Sequence, residues 1–157
     1  MCYKVMTVRE LQKPMGSWCS HCKPGRGCGI YEARPTECRT FICAWVLHPE
    51  LGPEWRPDKC KMVLMQESVA GRIVIKCDPG FPHAWRKEPY RSQIARWAAE
   101  AGPRGGEVIV LVNHDMTVIA RDKELHVGIV GEGDGFAVDY DPQGRPLRCR
   151  VQKVEAG

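Results

Sequence analysis

The sequence predicts an α+β protein: a cysteine-rich, metal-stapled N-terminal segment followed by a mainly antiparallel sheet with one helix. Three observations carry this reading. Seven of the nine cysteines, Cys2, Cys19, Cys22, Cys28, Cys38, Cys43 and Cys60, precede residue 61, and only Cys77 and Cys149 follow it. The second part alternates short apolar runs with turn signals, as strands do. One stretch there repeats its apolar residues at helical spacing. With 157 residues the chain suits one compact unit. Residues 1–60 are expected to form the metal-binding segment and residues 61–157 the strand-rich part of that unit.

The first segment carries Pro14, Pro24, Pro35, Pro49, Pro53 and Pro57. Outside Phe41–Leu47 its apolar residues are too scattered for a self-sufficient core, so a staple is expected. Further on, 61–65 and 72–77 read as two strands joined by a turn near Ala70-Gly71. A helix is expected over 89–101, because Tyr90, Ile94, Trp97, Ala98 and Ala101 share one face. Pro89 suits its first position and Gly102-Pro103 its stop. A meander of strands at 107–112, 116–120, 125–130, 136–140 and 147–154 completes the chain, with turns at Asn113-His114-Asp115, Gly131–Gly135 and Asp141–Gly144.

Composition excludes several classes. Apolar residues make up 43% and charged residues 27%, a globular balance that excludes wholesale disorder. The longest apolar run, Phe41–Leu47, falls far short of the ~20 residues that cross a bilayer, so no membrane partner is expected. The net charge of +4 comes without a dense basic run, and nucleic acid is not an expected partner. The first ten residues carry Lys4, Arg9 and Glu10 and no apolar core of a signal peptide. The chain is therefore expected in the cytoplasm, where structural disulfides rarely persist. Cysteine clusters in that setting bind metal or do redox work.

Cys19, Cys22, Cys28, Cys38 and Cys43 fall within 25 residues. Cys19 and Cys22 form a C-x2-C pair, whose turn lets two sulfurs face one ion. The Gly/Pro-rich loop 23–27 can fold Cys28 back toward that pair. Pro35 marks a helix start that puts Cys38 in the first turn, where backbone N–H groups favour a thiolate. Cys43 follows Cys38 by five residues, so it joins the site only if the helix turns between them. Lys23, Arg26, Arg34 and Arg39 outnumber Glu32 and Glu37 by two, which matches the −2 of a four-thiolate zinc.

The pattern Cys-x2-Cys, then Gly-Cys-x-Ile-Tyr-Glu-x-Arg-Pro, then Cys-Arg-x-Phe-x-Cys-x-Trp resembles the CxxCxxCC (YkgJ-type) family of zinc- or iron-chelating proteins over about residues 17–65, Trp55-Arg56-Pro57-Asp58-Lys59 included. Its members are mostly small and bacterial. Ile30-Tyr31-Glu32-x-Arg34-Pro35-x-x-Cys38-Arg39 is the most specific part. The chain departs from the family in lacking a second C-x2-C-C element, since Cys28 stands alone, and a shorter variant of this kind implies fewer metal ions. The resemblance implies metal chelation through Cys19, Cys22, Cys28, Cys38 and Cys43, with no particular reaction.

Zinc is the expected metal, with iron or an iron–sulfur cluster as the alternative, because either takes four cysteines. The ample thiolates favour a closed, structural site, so binding or assembly is expected in place of turnover. A thioredoxin-like dithiol at Cys19 and Cys22 lacks the preceding strand and βαβ unit. An accessory subunit with a protein partner is a further alternative. Cys60 is a lesser ligand candidate, His21 is expected as a bystander, and Cys2, Cys77 and Cys149 as ordinary thiols. Arg34 and Arg39 are expected to donate to sulfur or to Glu32. Tyr31, Phe41, Trp45 and Trp55 are expected to pack over the cluster. His114-Asp115 reads as part of a turn and Gly131–Gly135 as another, and no Gly-x-Ser-x-Gly, H-E-x-x-H or P-loop occurs.

Overall fold

A computed structural model describes residues 2–67, 71–102 and 106–153. Five strands make the main sheet: β3 (Met62–Glu67), β4 (Arg72–Cys77), β5 (Val108–Val112), β6 (Asp115–Ala120) and β7 (Lys123–Ile129). They lie in the order β3-β4-β5-β6-β7. β4 and β5 run parallel and every other neighbouring pair runs antiparallel. The protein is α+β, with a mainly antiparallel sheet and one long helix, α5 (Tyr90–Ala101). A parallel pair cannot be joined by a tight turn, and α5 lies within the connection from β4 to β5.

Side chains one residue apart in these strands serve opposite faces. Ile75, Val108, Val110 and Ile119 meet Ile94 and Ala98 of α5, together with Trp85 and Trp55. Trp55 is only 3% exposed, and its ring lies 5.0 Å from Tyr90 and 4.8 Å from Trp97. Val74, Ile109, Met116, Val118 and Leu125 form the second face. A separate hairpin, β8 (Gly135–Tyr140) with β9 (Pro146–Gln152), covers it with Phe136, Val138 and Cys149.

The expected meander therefore stops at β7. The second face presents Val74, Ile109, Met116, Val118 and Leu125, and two more strands at the sheet edge would leave these side chains wet. Folding β8–β9 over it buries that surface, each large apolar side chain contributing about 1.5–3 kcal/mol when fully covered. A polar contact fixes the hairpin in place. Glu107, 4% exposed, accepts from Arg72 Nε at 3.1 Å and from the Tyr140 hydroxyl at 3.4 Å. The Arg72 guanidinium lies 4.4 Å from the Phe136 ring.

Apart from β4, which matches, boundaries differ by no more than two residues from the expected ones. β3 begins at Met62 because Lys61, at φ 62°, ends the short helix α4 (Pro57–Cys60) in the left-handed region. β7 starts at Lys123 and β8 at Gly135, both before their expected first residues. Pro89 sits just ahead of α5 in place of its first turn. Ala70, Pro103 and Val154, which the expected turn, helix stop and last strand include, lie outside the described residues. No described helix is long and apolar enough to cross a membrane.

The chain start is tied to the sheet. Val5 and Val8 are buried, and Lys4 Nζ pairs with the buried carboxylate of Asp78 at 2.5 Å, just past β4. Lys13 is buried too, its ammonium donating to the carbonyls of Lys4, Met6 and Pro14. Gly16 has φ +80°, and a Cβ there would stand 2.2 Å from Asn113 Oδ1 in the β5–β6 turn. Gly16→Ala should therefore cost about 2 kcal/mol or more, since an L-residue pays roughly 1–2 kcal/mol for the left-handed region alone. Urea denaturation of the variant checks this, and an unchanged midpoint would contradict it.

Candidate metal centre

The cysteine-rich segment is built from one small hairpin and two short helices. β1 (Cys22–Lys23) pairs with β2 (Gly27–Cys28) and sets Cys22 opposite Cys28. Pro24, Gly25 and Arg26 make the turn, with Arg26 N–H donating to Lys23 O at 2.9 Å. Gly25 at φ 73° and Gly27 at φ 90° use a region that L side chains rarely adopt. Upstream, Cys22 N–H donates to Cys19 O at 3.0 Å, which closes the C-x2-C turn.

Helix α2 (Thr36–Thr40) begins just after Pro35 and carries Cys38 in its first turn. Its N-terminus is satisfied from a distance: Thr36 N–H donates to Glu10 Oε1 at 2.9 Å. In return Glu37 Oε2 accepts from Arg9 N–H at 2.7 Å. Leading into α2, Arg39 donates through Nε to Arg34 O and through Nη2 to Glu32 O, both at 2.8 Å. Arg34 Nε donates to Tyr31 O at 2.8 Å, and its guanidinium lies 3.6 Å from the Tyr31 ring. Both arginines thus hold backbone carbonyls, and Glu32 meets Arg39 through its carbonyl in place of its carboxylate.

Residues of the hairpin region and of α2 line one cleft of about 500 Å³. Cys19, His21 and Cys28 line it together with Glu37, Cys38 and Phe41, and Val8 and Leu11 of the N-terminal stretch line it too. Three of the five expected ligands thus share a cleft, and Cys22 stands across the ladder from one of them. Among the described residues no three His, Cys, Asp or Glu side chains lie close enough to hold an ion in this arrangement. The donor set itself suits a soft metal: the five thiols are half-buried and none is in a disulfide.

Cys43 goes elsewhere. The helix ends at Thr40, the chain runs extended through Cys43, and α3 (Ala44–Leu47) starts directly after it. That places the Cys43 thiol within electrostatic reach of Cys60 and outside the cleft lining. Cys60 is fully buried, its sulfur 3.3 Å from the carbonyls of both Trp55 and Met62. Burial first, and then the Cys43 thiol, push Cys60 up to about 11. Cys77, deep in the sheet core, is pushed up to about 12 by burial and then by Cys60. Cys149 lies in β9, and burial raises it as well.

The aromatic cover expected over the cluster is not formed as a unit. Phe41 lines the cleft, whereas Trp55 is in the main core with Trp45 against it, and Tyr31 is 55% exposed. Trp55 goes to the core because the short 3-10 turn 53–55 and α4 lead directly into β3, so its ring falls over α5. Asp115 opens β6 and meets His126 Nε2 at 2.8 Å, not His114. Of Gly131–Gly135, residues 131–134 make a turn in which Gly131 N–H donates to Asp134 Oδ2 at 2.7 Å, and Gly135 opens β8. The capping pair Glu10 and Glu37 was not expected from the sequence, and the only local sign of it is the acidic residue in the first turn of α2.

The buried thiols set a pH dependence. Folding raises Cys60 and Cys77 above 9.0, their ordinary value. Between there and their raised values the unfolded chain has lost protons that the folded chain keeps, so stability falls as pH climbs from 9. Denaturation midpoints should drop steadily between pH 9 and 11, and alkylation of native protein near pH 8 should spare Cys60 and Cys77 while modifying the half-buried thiols. A flat stability profile over that range, or early labelling of Cys77, would contradict the assignment.

Comparison with protein-family models, with curated protein sequences and with solved structures finds no match to this chain.

Proposed function

We propose that the protein chelates a soft divalent metal, zinc first, through Cys19, Cys22, Cys28 and Cys38, and that it acts in binding or assembly. The observation that carries this reading is the meeting of Cys19, Cys28 and Cys38 on one cleft with Cys22 opposite Cys28. Four thiolates supply a closed tetrahedral set. The resemblance to the CxxCxxCC family over residues 17–65 points the same way. Zinc, when bound, would supply a structural cross-link between hairpin and helix. The residues of the chain do the rest: the Cys19–Cys22 turn orients two sulfurs, the Glu10–Thr36 contact steadies α2, and Phe41 shields one wall from water. Since no three ligand side chains converge among the described residues, binding requires the hairpin and α2 to draw their thiols closer.

Elemental analysis of the full-length protein tests the reading. About one zinc per chain is expected, in a colourless protein. A brown protein with iron and acid-labile sulfide in place of zinc would move the proposal to an iron–sulfur site. Metal-free protein after anaerobic purification, with zinc failing to bind on addition, would overturn chelation.

A further inference from the structure

The ladder between β1 and β2 is only two pairs long, yet it fixes the relation of two thiols. Gly29 N–H donates to His21 O at 2.7 Å, immediately outside the Cys22–Cys28 pair. Hydrogen-bonded and non-hydrogen-bonded pairs alternate along an antiparallel ladder, so Cys22 and Cys28 occupy a non-hydrogen-bonded position. There the two Cα atoms stand about 4.5 Å apart and the side chains, on one side of the ribbon, approach most closely. A disulfide needs Cα atoms about 4.4–6.8 Å apart with Cβ atoms facing. Both thiols are half-buried, and Cys28 opens into the cleft that solvent reaches.

We infer that Cys22 and Cys28 are a reversible thiol-modification site, in which a hydroperoxide converts the pair to a cross-strand disulfide. Cys28, the residue on the cleft, attacks the peroxide; the O–O bond breaks, a sulfenic acid forms and one water leaves. Cys22 then attacks the sulfenic sulfur, the S–S bond forms, and hydroxide departs and takes a proton as the second water. Two thiols and one hydrogen peroxide thus give one disulfide and two waters. A dithiol reductant reverses the change by exchange.

The pair differs from the neighbouring Cys19–Cys22 dithiol. Those two are joined by a turn, whereas Cys22 and Cys28 are held face to face by the ladder and by the turn 24–26. The modification itself does not depend on the metal-binding proposal. Its consequence does: under that proposal the disulfide removes two of four ligands, so oxidation and metal occupancy exclude each other.

The test treats full-length protein, zinc-free and zinc-loaded, with stoichiometric hydrogen peroxide, counts thiols and maps linked peptides by mass spectrometry. Expected are the loss of two thiols per peroxide in the zinc-free protein, a dominant Cys22–Cys28 peptide, and full recovery with dithiothreitol. Cys19→Ser should still give that peptide, and Cys22→Ser and Cys28→Ser should not. In zinc-loaded protein, metal released to a chromogenic chelator should track the disulfide one to one. A dominant Cys19–Cys22 link, or over-oxidation to sulfinic acid with no disulfide, would overturn the inference and leave the metal reading standing. A Cys22–Cys28 disulfide in a protein that binds no zinc would support the inference and sink the metal reading alone.

Discussion

Cys19→Ser and Cys38→Ser should each strip most of the zinc from the full-length protein and release residues 17–43 to fast hydrogen exchange. Structural zinc in small peptides contributes on the order of 10–16 kcal/mol to folding at neutral pH, and a site left with three thiolates forfeits much of it. Both residues line the cleft, Cys19 from the turn that leads into the hairpin and Cys38 from α2, so loss of either removes the cross-link between hairpin and α2. Cys77→Ser and Cys149→Ser should keep the full metal content at a packing-scale cost of roughly 0.5–3 kcal/mol. Cys43→Ser belongs with them, because its thiol is within electrostatic reach of Cys60 and does not line the cleft. Metal analysis with peptide-resolved exchange decides the matter. Retention of zinc in the Cys19 and Cys38 variants, or its loss in the Cys77 or Cys149 variant, would refute the ligand set.

The second large effect belongs to the sheet. Glu107→Ala should destabilise the fold by about 2–4 kcal/mol, because it leaves the Arg72 guanidinium without its carboxylate and the Tyr140 hydroxyl without its acceptor. The value stays below that of a fully buried pair since the Arg72 side chain is 27% exposed. For a chain of this size the melting temperature should fall by about 10 °C. Tyr140→Phe, which removes one neutral donor, should cost only about 0.5–1.5 kcal/mol. Faster exchange in β8–β9 than in β4–β6 of the Glu107 variant would locate the damage at the hairpin. A melting temperature within a degree of wild type would show that the network contributes nothing.

The sequence made some of this architecture legible and hid the rest for physical reasons. β4 was readable to the residue, because Arg72–Cys77 is a short β-branched run between turns. α5 was readable because Ile94 and Ala98 share a face, and both are buried. The departure of β8–β9 from the sheet was not readable. Alternation reports that a strand has an apolar side, not which surface that side covers, and Phe136 and Val138 suit either place. In the cysteine-rich segment the C-x2-C turn, the return of Cys28 and the first-turn position of Cys38 followed from Gly and Pro placement. The divergence of Cys43 depended on the helix ending at Thr40. The capping of Thr36 by Glu10 spans 26 positions, and no local pattern announces such a contact. Trp55 looked like cover for the cysteines because it is near them in sequence, but the chain carries it into β3 and the core.

The ties at the chain start give the cysteine-rich stretch an unusual standing. Lys4 is held at Asp78 and Gly16 against Asn113, while on the far side Ala44, Trp55 and Cys60 are already part of the core. Residues 17–43 are therefore an inset with both ends moored to the same body, and not a domain hung on a linker. Such an excursion can gain or lose its order without carrying the body along. Closing a loop costs little more as it lengthens, about 0.6 kcal/mol for each doubling, so the length of the inset weighs little on the moored body, which meets it at Glu10–Thr36 and Arg9–Glu37. The molecule can in this way change the state of its thiols while its scaffold stays as it is, and a foreign loop of similar span could be exchanged for the inset at the same two moorings.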